Sequence, residues 1–162
     1  SQMINSLNIG LVFRHIYAEK SAVELAAFWA ANPNPTQLMR QRSCAKEGVN
    51  SPYIAIALRR YRTFILTLNT RLENAGPWLA GQVFSLADTG LFPYLNRLDM
   101  MGFERLASGA TAYANWLDAM RSRPSVQKEI TNKISENALA AHREFVARDQ
   151  SALDGILAEL GG

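Results

Sequence analysis

Apolar residues recur at alternating steps of four and three through the middle of the chain. Ile54, Leu58, Tyr61, Ile65, Leu68 and Leu72 fall in this way on one face of a helix. Ser51 is placed to cap its start, and Pro52 occupies the first helical position, where a missing N–H costs nothing. Gly76 can adopt a left-handed conformation just past the end, and Pro77 forbids continuation. A second helix is expected from Leu86 to about Gly102, with Pro93 in its interior. A third carries Tyr113, Trp116, Leu117 and Met120 on one side and ends before Pro124. Upstream, residues 3–31 read as helix, broken near Ser21, where Ser21 and Glu24 have capping-box spacing. "NPNP" at 32–35 reads as a loop. The tail, from about Ser135 to Leu160, predicts two more helices. The second starts at Ser151, with Asp154 three residues on, and buries Leu153, Ile156, Leu157 and Leu160. No segment has strand alternation, and no repeat or low-complexity linker divides the chain. The expectation is one all-α domain over residues 1–162, a bundle of about six to eight helices in which 130–162 forms a helical extension.

Composition narrows the function classes. With 162 residues, 48% of them hydrophobic, the chain can bury one ordinary core. No apolar run approaches the roughly 20 residues of a membrane span, and the N-terminal stretch lacks the pattern of a signal peptide. A single cysteine, Cys44, excludes an intramolecular disulfide and fits a reducing, cytoplasmic compartment. The net charge of +3 comes from 17 basic and 14 acidic residues that alternate along the chain. The densest basic patch, "RRYR" at 59–62, puts Arg59 and Arg62 on one helix face and Arg60 about 100° away. A nucleic-acid surface needs more such clusters with interleaved aromatics, so a solvated helix face is expected, with neither nucleic acid nor membrane as partner.

"PWLAGQVFSLADTGLFPYL", residues 77–95, sets one carboxylate, Asp88, among residues expected to be buried: Phe84, Leu86, Leu91, Phe92 and Leu95. With Ser85 as N-cap, Asp88 is the third helical residue. The serine oxygen then accepts the Asp88 N–H while the carboxylate reaches back to the Ser85 N–H. The carboxylate also sits at the positive end of the helix dipole. Ser85 and Asp88 are therefore read as a structural cap and not as catalytic groups. Phe84 precedes the cap, but its staple position is Thr89, a poor apolar partner.

"PWLAGQVFSLADTGLFPYLNRL", followed by "NWLDAMRSRPSVQ", resembles the C-terminal helical domain of the glutathione S-transferase superfamily. There a W-L-x-G turn leads into an S-x-x-D capping box at the start of a buried central helix. A W-x-x-x-M-x-x-R-P-S segment follows, as in Trp116 to Ser125. The likeness spans about residues 50–127. It implies an all-α bundle of the C-terminal-domain type and a parent enzyme that transfers glutathione to a hydrophobic electrophile, as a homodimer. Glutathione in such a parent is bound mainly by a preceding thioredoxin-like domain, which also supplies the activating Tyr, Ser or Cys. No βαβ pattern for that domain occurs in this chain, so truncation is expected, with no catalytic residue, no cofactor and no glutathione transfer by the chain alone. The competing implication is a non-catalytic interaction module.

The first long helix of such a domain lines the acceptor pocket. By position this implies Phe13, Arg14 and Tyr17 as substrate-binding residues, with packing against neighbouring helices as the alternative. The same helix, with Ile9, Val12, Phe13, Ile16 and Tyr17 at helical spacing, is expected to carry an exposed apolar face, and the isolated chain to self-associate through residues 4–31. Cys44 follows Arg40 and Arg42, which would lower its pKa, yet a lone cysteine is ordinarily inert packing. His15 and His142 have no metal or triad spacing, and no metal site is expected.

Overall fold

The computed structural model describes residues 2–133 and 135–161, with Thr131 and Gly161 by backbone alone. Ser1, Ile134 and Gly162 of the expected 1–162 domain lie outside the described residues. In chain order the helices are α1 (Gln2–Leu7), a π-helical segment (Asn8–Phe13), α2 (Arg14–Tyr17), α3 (Ala22–Ala30), α4 (Pro35–Glu47) and α5 (Pro52–Ala75). They continue with α6 (Leu86–Met100), α7 (Thr111–Arg121), α8 (Pro124–Glu129), α9 (Glu136–Ala147) and α10 (Gln150–Gly161), with three short 3-10 turns between. Among the described residues the single β-type pairing is an isolated bridge, Trp78 with Gly81. The fold is all-α. α4 and α8 are additional to the helices that periodicity predicts.

The chain forms two compact units. Residues 1–59 and 144–160 make one, and residues 60–143 the other. In the first unit, α1, the π segment and α2 run continuously and pack on α4. The π segment buries Ile9, Gly10, Leu11 and Val12 in succession, so it is covered on most of its sides. Gly10 permits this packing, because a Cβ there would lie 2.7 Å from Ile54 Cδ1. Ile9 and Val12 are 3% and 0% exposed. They are therefore not part of an exposed apolar face; the segment that carries them packs on α4. α3 starts with the Ser21–Glu24 box: Glu24 Oε2 accepts the Ser21 N–H at 2.8 Å, and Ser21 Oγ accepts the Glu24 N–H at 3.3 Å. α4 starts inside the "NPNP" loop, where Asn34 Oδ1 accepts the Gln37 N–H at 3.0 Å and Pro35 sits in the first turn. The tail belongs to this unit, burying Val146, Leu153 and Leu157 and pairing Glu159 with Arg59 at 2.8 Å. Helix α10 begins at Gln150, so Ser151 lies inside the first turn and is not the expected cap; Ile156 and Leu160 are only partly covered.

Every member of the α5 stripe is buried, and the helix ends where Gly76 takes a φ of 123°. In the second unit α6 packs on α7, and α7 on α8. Phe92, Leu95 and Leu98 of α6 are buried together with Tyr113, Trp116, Leu117 and Met120 of α7. Leu86 is 88% exposed, contrary to expectation. Two residues at 100° each place it about 200° from Asp88, on the outer side of α6 with Pro93 and Tyr94. The start of α7 is satisfied from α5: Asn69 Oδ1 accepts the Tyr113 N–H at 3.0 Å. Phe84 packs edge-on against Trp78, ring centroids 5.3 Å apart, beneath the Arg123 guanidinium at 3.6 Å. Arg62 donates to the carbonyls of Leu106 and Ser108 at 2.9 and 2.8 Å. That part of the basic patch is structural.

Candidate functional site

Two sets of singled-out residues occupy two different places. The first is the turn and helix start around Asp88. Asp88 Oδ2 accepts the Ser85 N–H and Oγ–H at 2.9 and 2.8 Å, and Oδ1 accepts the Leu79 N–H and the Trp116 Nε1–H at 2.9 and 2.8 Å. Ser85 Oγ in turn accepts the Ala87 N–H at 3.2 Å and completes the box with the Asp88 N–H. A carboxylate offers about four lone-pair sites, and all are filled. Burial raises the Asp88 pKa, but the bonds from Leu79, Trp116 and Ser85 outweigh it and hold the group below the usual aspartate value. A carboxylate so occupied has no lone pair left for proton transfer. The W-L-x-G turn, the S-x-x-D box and the tryptophan of α7 therefore meet at one side chain.

The second place is a cavity of about 420 Å³ in the first unit, lined by Arg14, Tyr17, Ala18, Leu25, Trp29, Arg42, Ala45 and Lys46. Two of the three residues singled out by position, Arg14 and Tyr17, line it. Phe13 does not; its ring stands 6.4 Å from that of Tyr17, behind the wall. Tyr17 meets Trp29 edge-on at 5.5 Å and Phe28 at 5.3 Å, while Phe28 and Trp29 meet at 4.9 Å. Burial raises the Tyr17 phenol above its ordinary pKa, so it stays protonated. The Arg14 guanidinium lies over Gly48, whose φ is 59°; a Cβ there would fall 1.3 Å from Arg14 Nη1. From the tail, Asp149 Oδ2 stands 3.8 Å from the same nitrogen. Arg42 and Lys46 add two cations one helical turn apart, and among the described residues neither has an ion-pair partner.

Sequence reasoning missed Trp29, Arg42, Lys46 and Gly48. Arg42 and Lys46 share the spacing of one helix face, which would have been visible had α4 been expected; Gly48 carried no local signal. Cys44 is fully buried, and burial raises its thiol pKa, opposite to the lowering expected from neighbouring arginines. His15 stacks on Phe145 at 4.8 Å, and the Arg97 guanidinium lies 3.0 Å from His142 Nδ1. Among the described residues no cluster of His, Cys, Asp and Glu could hold a metal ion. No helix among them is long and apolar enough to cross a membrane.

No solved structure gives a significant match to the chain. A curated relative, the disulfide-bond oxidoreductase YfcG of Escherichia coli (strain K12), is 30% identical over 128 residues. That alignment covers 72% of this chain and 54% of the relative, so the chain spans about half the relative's length. The family model for the glutathione S-transferase C-terminal domain matches residues 25–119, more than half of the chain, and the chain belongs to that family.

Proposed function

We propose that this chain is the acceptor-substrate half of a cytoplasmic, homodimeric, glutathione-dependent enzyme, in which a thioredoxin-like domain holds glutathione and activates its thiol. In this reading residues 1–162 act as one helical domain with 130–162 as its extension. The observation that carries the proposal is the cavity at Arg14 and Tyr17, where aromatic faces and cationic groups border one concave space of ligand size. The lining has no Asp or Glu to receive the ammonium group of glutathione, and the tripeptide has no aromatic body to lie on Tyr17 and Trp29, so an acceptor is the better fit. In the parent reaction the glutathione sulfur forms a bond to an electrophilic carbon of the acceptor while the leaving group departs with its electron pair. The role of Tyr17 and Trp29 is to hold the acceptor's apolar part at the cavity wall.

A second reaction, thiol–disulfide exchange, is favoured by the 30% identity to a protein named as a disulfide-bond oxidoreductase. Assaying the parent enzyme with glutathione and either a generic aromatic electrophile or a small disulfide separates the two. Substituting Tyr17→Ala and Trp29→Ala in that enzyme should raise KM for the acceptor while leaving KM for glutathione unchanged. Unchanged acceptor kinetics in both variants would refute the assignment of this cavity. Absence of a thioredoxin-like segment from the parent gene would favour the interaction module instead.

A further inference from the structure

We infer that the acceptor bound at this cavity is an anion: a flat, unsaturated or aromatic molecule carrying a carboxylate or a similar oxyanion, received by Arg14. The inference rests on the proposed acceptor site and specifies its substrate class.

Three features point to it. Arg14, Arg42 and Lys46 all reach the cavity, and no acidic residue lines it. An uncharged apolar guest would leave that positive field uncompensated. The Arg14 guanidinium also rests over Gly48, in space that any other residue's Cβ would occupy. A planar guanidinium fork matches an oxyanion's two oxygens. Finally, the counter-charge Arg14 now has is imperfect. Asp149 Oδ2 is 3.8 Å away, beyond hydrogen-bond distance, and this buried oxygen has no hydrogen-bond partner among the described residues. Asp149 therefore compensates the Arg14 charge without saturating its donors. An incoming oxyanion can take up the free N–H groups while the aromatic body lies against Tyr17 and Trp29. Asp149 then opposes binding by its like charge, so the tail sets the affinity of the site.

The test is equilibrium binding of 2-naphthoate and its uncharged isostere 2-naphthamide to the 162-residue chain, at low and at high salt. Naphthoate should bind at least about tenfold tighter at low salt, with the advantage shrinking as salt screens the cations. Arg14→Gln should remove most of the preference, leaving only the part owed to Arg42 and Lys46, and leave naphthamide binding intact. Asp149→Asn should tighten naphthoate binding severalfold without changing naphthamide binding. Arg42→Gln with Lys46→Gln, both at exposed positions, should weaken naphthoate about threefold or more, so the idea remains testable if Arg14→Gln fails to fold. Equal binding of the two ligands by the parent chain overturns the anionic class while leaving a neutral acceptor site standing. A preference undiminished by Arg14→Gln overturns the role given to Arg14. Binding of neither ligand overturns the acceptor site itself.

Discussion

The Trp116 indole N–H donates to the Asp88 carboxylate across 2.8 Å, joining α7 to the start of α6. Because the same oxygen also accepts the Leu79 N–H, the bond fixes the 77–81 turn relative to both helices. Asp88→Ala leaves the N–H groups of Leu79, Ser85 and Trp116 without this acceptor, each costing roughly 1–3 kcal/mol when buried, though not additively. A loss of about 3 kcal/mol or more is expected, equivalent to a fall in Tm of roughly 6–12 °C for a chain of this size. Trp116→Phe keeps most of the ring and removes one donor, so about 1–3 kcal/mol should be lost. Thermal melts of the two variants and the double variant check this. The double variant should lose less than the sum, and strict additivity would disprove the coupling.

Acid should destabilise the fold in two stages. His142 Nδ1 faces the Arg97 guanidinium, and burial first, then that positive charge, lowers its pKa; burial and the Arg14 charge do the same for His15. A histidine with a lowered folded pKa binds its proton more readily in the unfolded chain. Stability is therefore full above about 6.5, the unfolded value, and falls as pH drops below it. Asp88 is also depressed, so its contribution is full above about 3.9 and is lost as pH falls through the lower folded value. Denaturant midpoints measured across pH should show both declines. His142→Gln should flatten the first and Asp88→Asn the second; a midpoint independent of pH between 7 and 5 would contradict the histidine account.

Residues that act within one turn were legible in the sequence. The Ser21–Glu24 and Ser85–Asp88 boxes, the α5 stripe and the apolar side of α7 depend on spacing alone. Interactions formed by the fold were not. Nothing near Asp88 announces Trp116, 28 residues away, or Leu79, nine residues before it. α4 escaped notice because Cys44 is its single buried residue, leaving no apolar stripe, although Asn34 and Pro35 spell a helix start. No local pattern marks Arg14 and Tyr17; only the resemblance to the glutathione S-transferase C-terminal domain pointed to the helix that carries them. The π segment that buries Ile9 and Val12 is invisible to a 3.6-residue template.

Gly48→Ala tests whether Arg14 needs the seat that Gly48 leaves it. The new Cβ would fall 1.3 Å from Arg14 Nη1, and at φ 59° an alanine is also strained, by about 1–3 kcal/mol. The guanidinium must move away while the cavity wall at Tyr17 and Trp29 stays. Naphthoate affinity should drop about tenfold and naphthamide affinity change little, measured on protein whose circular dichroism matches the parent. An equal loss for both ligands would mean that the substitution damages the cavity as a whole.

Self-association of the isolated chain is expected to keep Ile16 of the face that periodicity nominates and to lose Ile9 and Val12. Ile9 and Val12 are buried, whereas Ile16, Val23, Phe28 and Met39 of α2, α3 and α4 are exposed by 43%, 79%, 46% and 58%. Exposed apolar side chains favour an interface where they adjoin one another. Sedimentation at micromolar concentration should show a dimer, and Phe28→Asp should shift it to monomer while preserving helicity. Phe28 is the better position to charge than half-buried Phe13, whose substitution would confound association with packing. A strictly monomeric parent chain would remove this face as an interface.

The isolated chain should not turn over glutathione with a generic aromatic electrophile. Transfer needs glutathione itself held beside the acceptor, and the cavity has no Asp or Glu to receive the tripeptide's ammonium group. The Cys44 thiol is buried with its pKa raised, so it offers no nucleophile in place of glutathione. Naphthoate binding without turnover is the expected pair of results. Clear catalysis above the uncatalysed rate, abolished by Tyr17→Phe, would instead place a thiol-activating group in this chain.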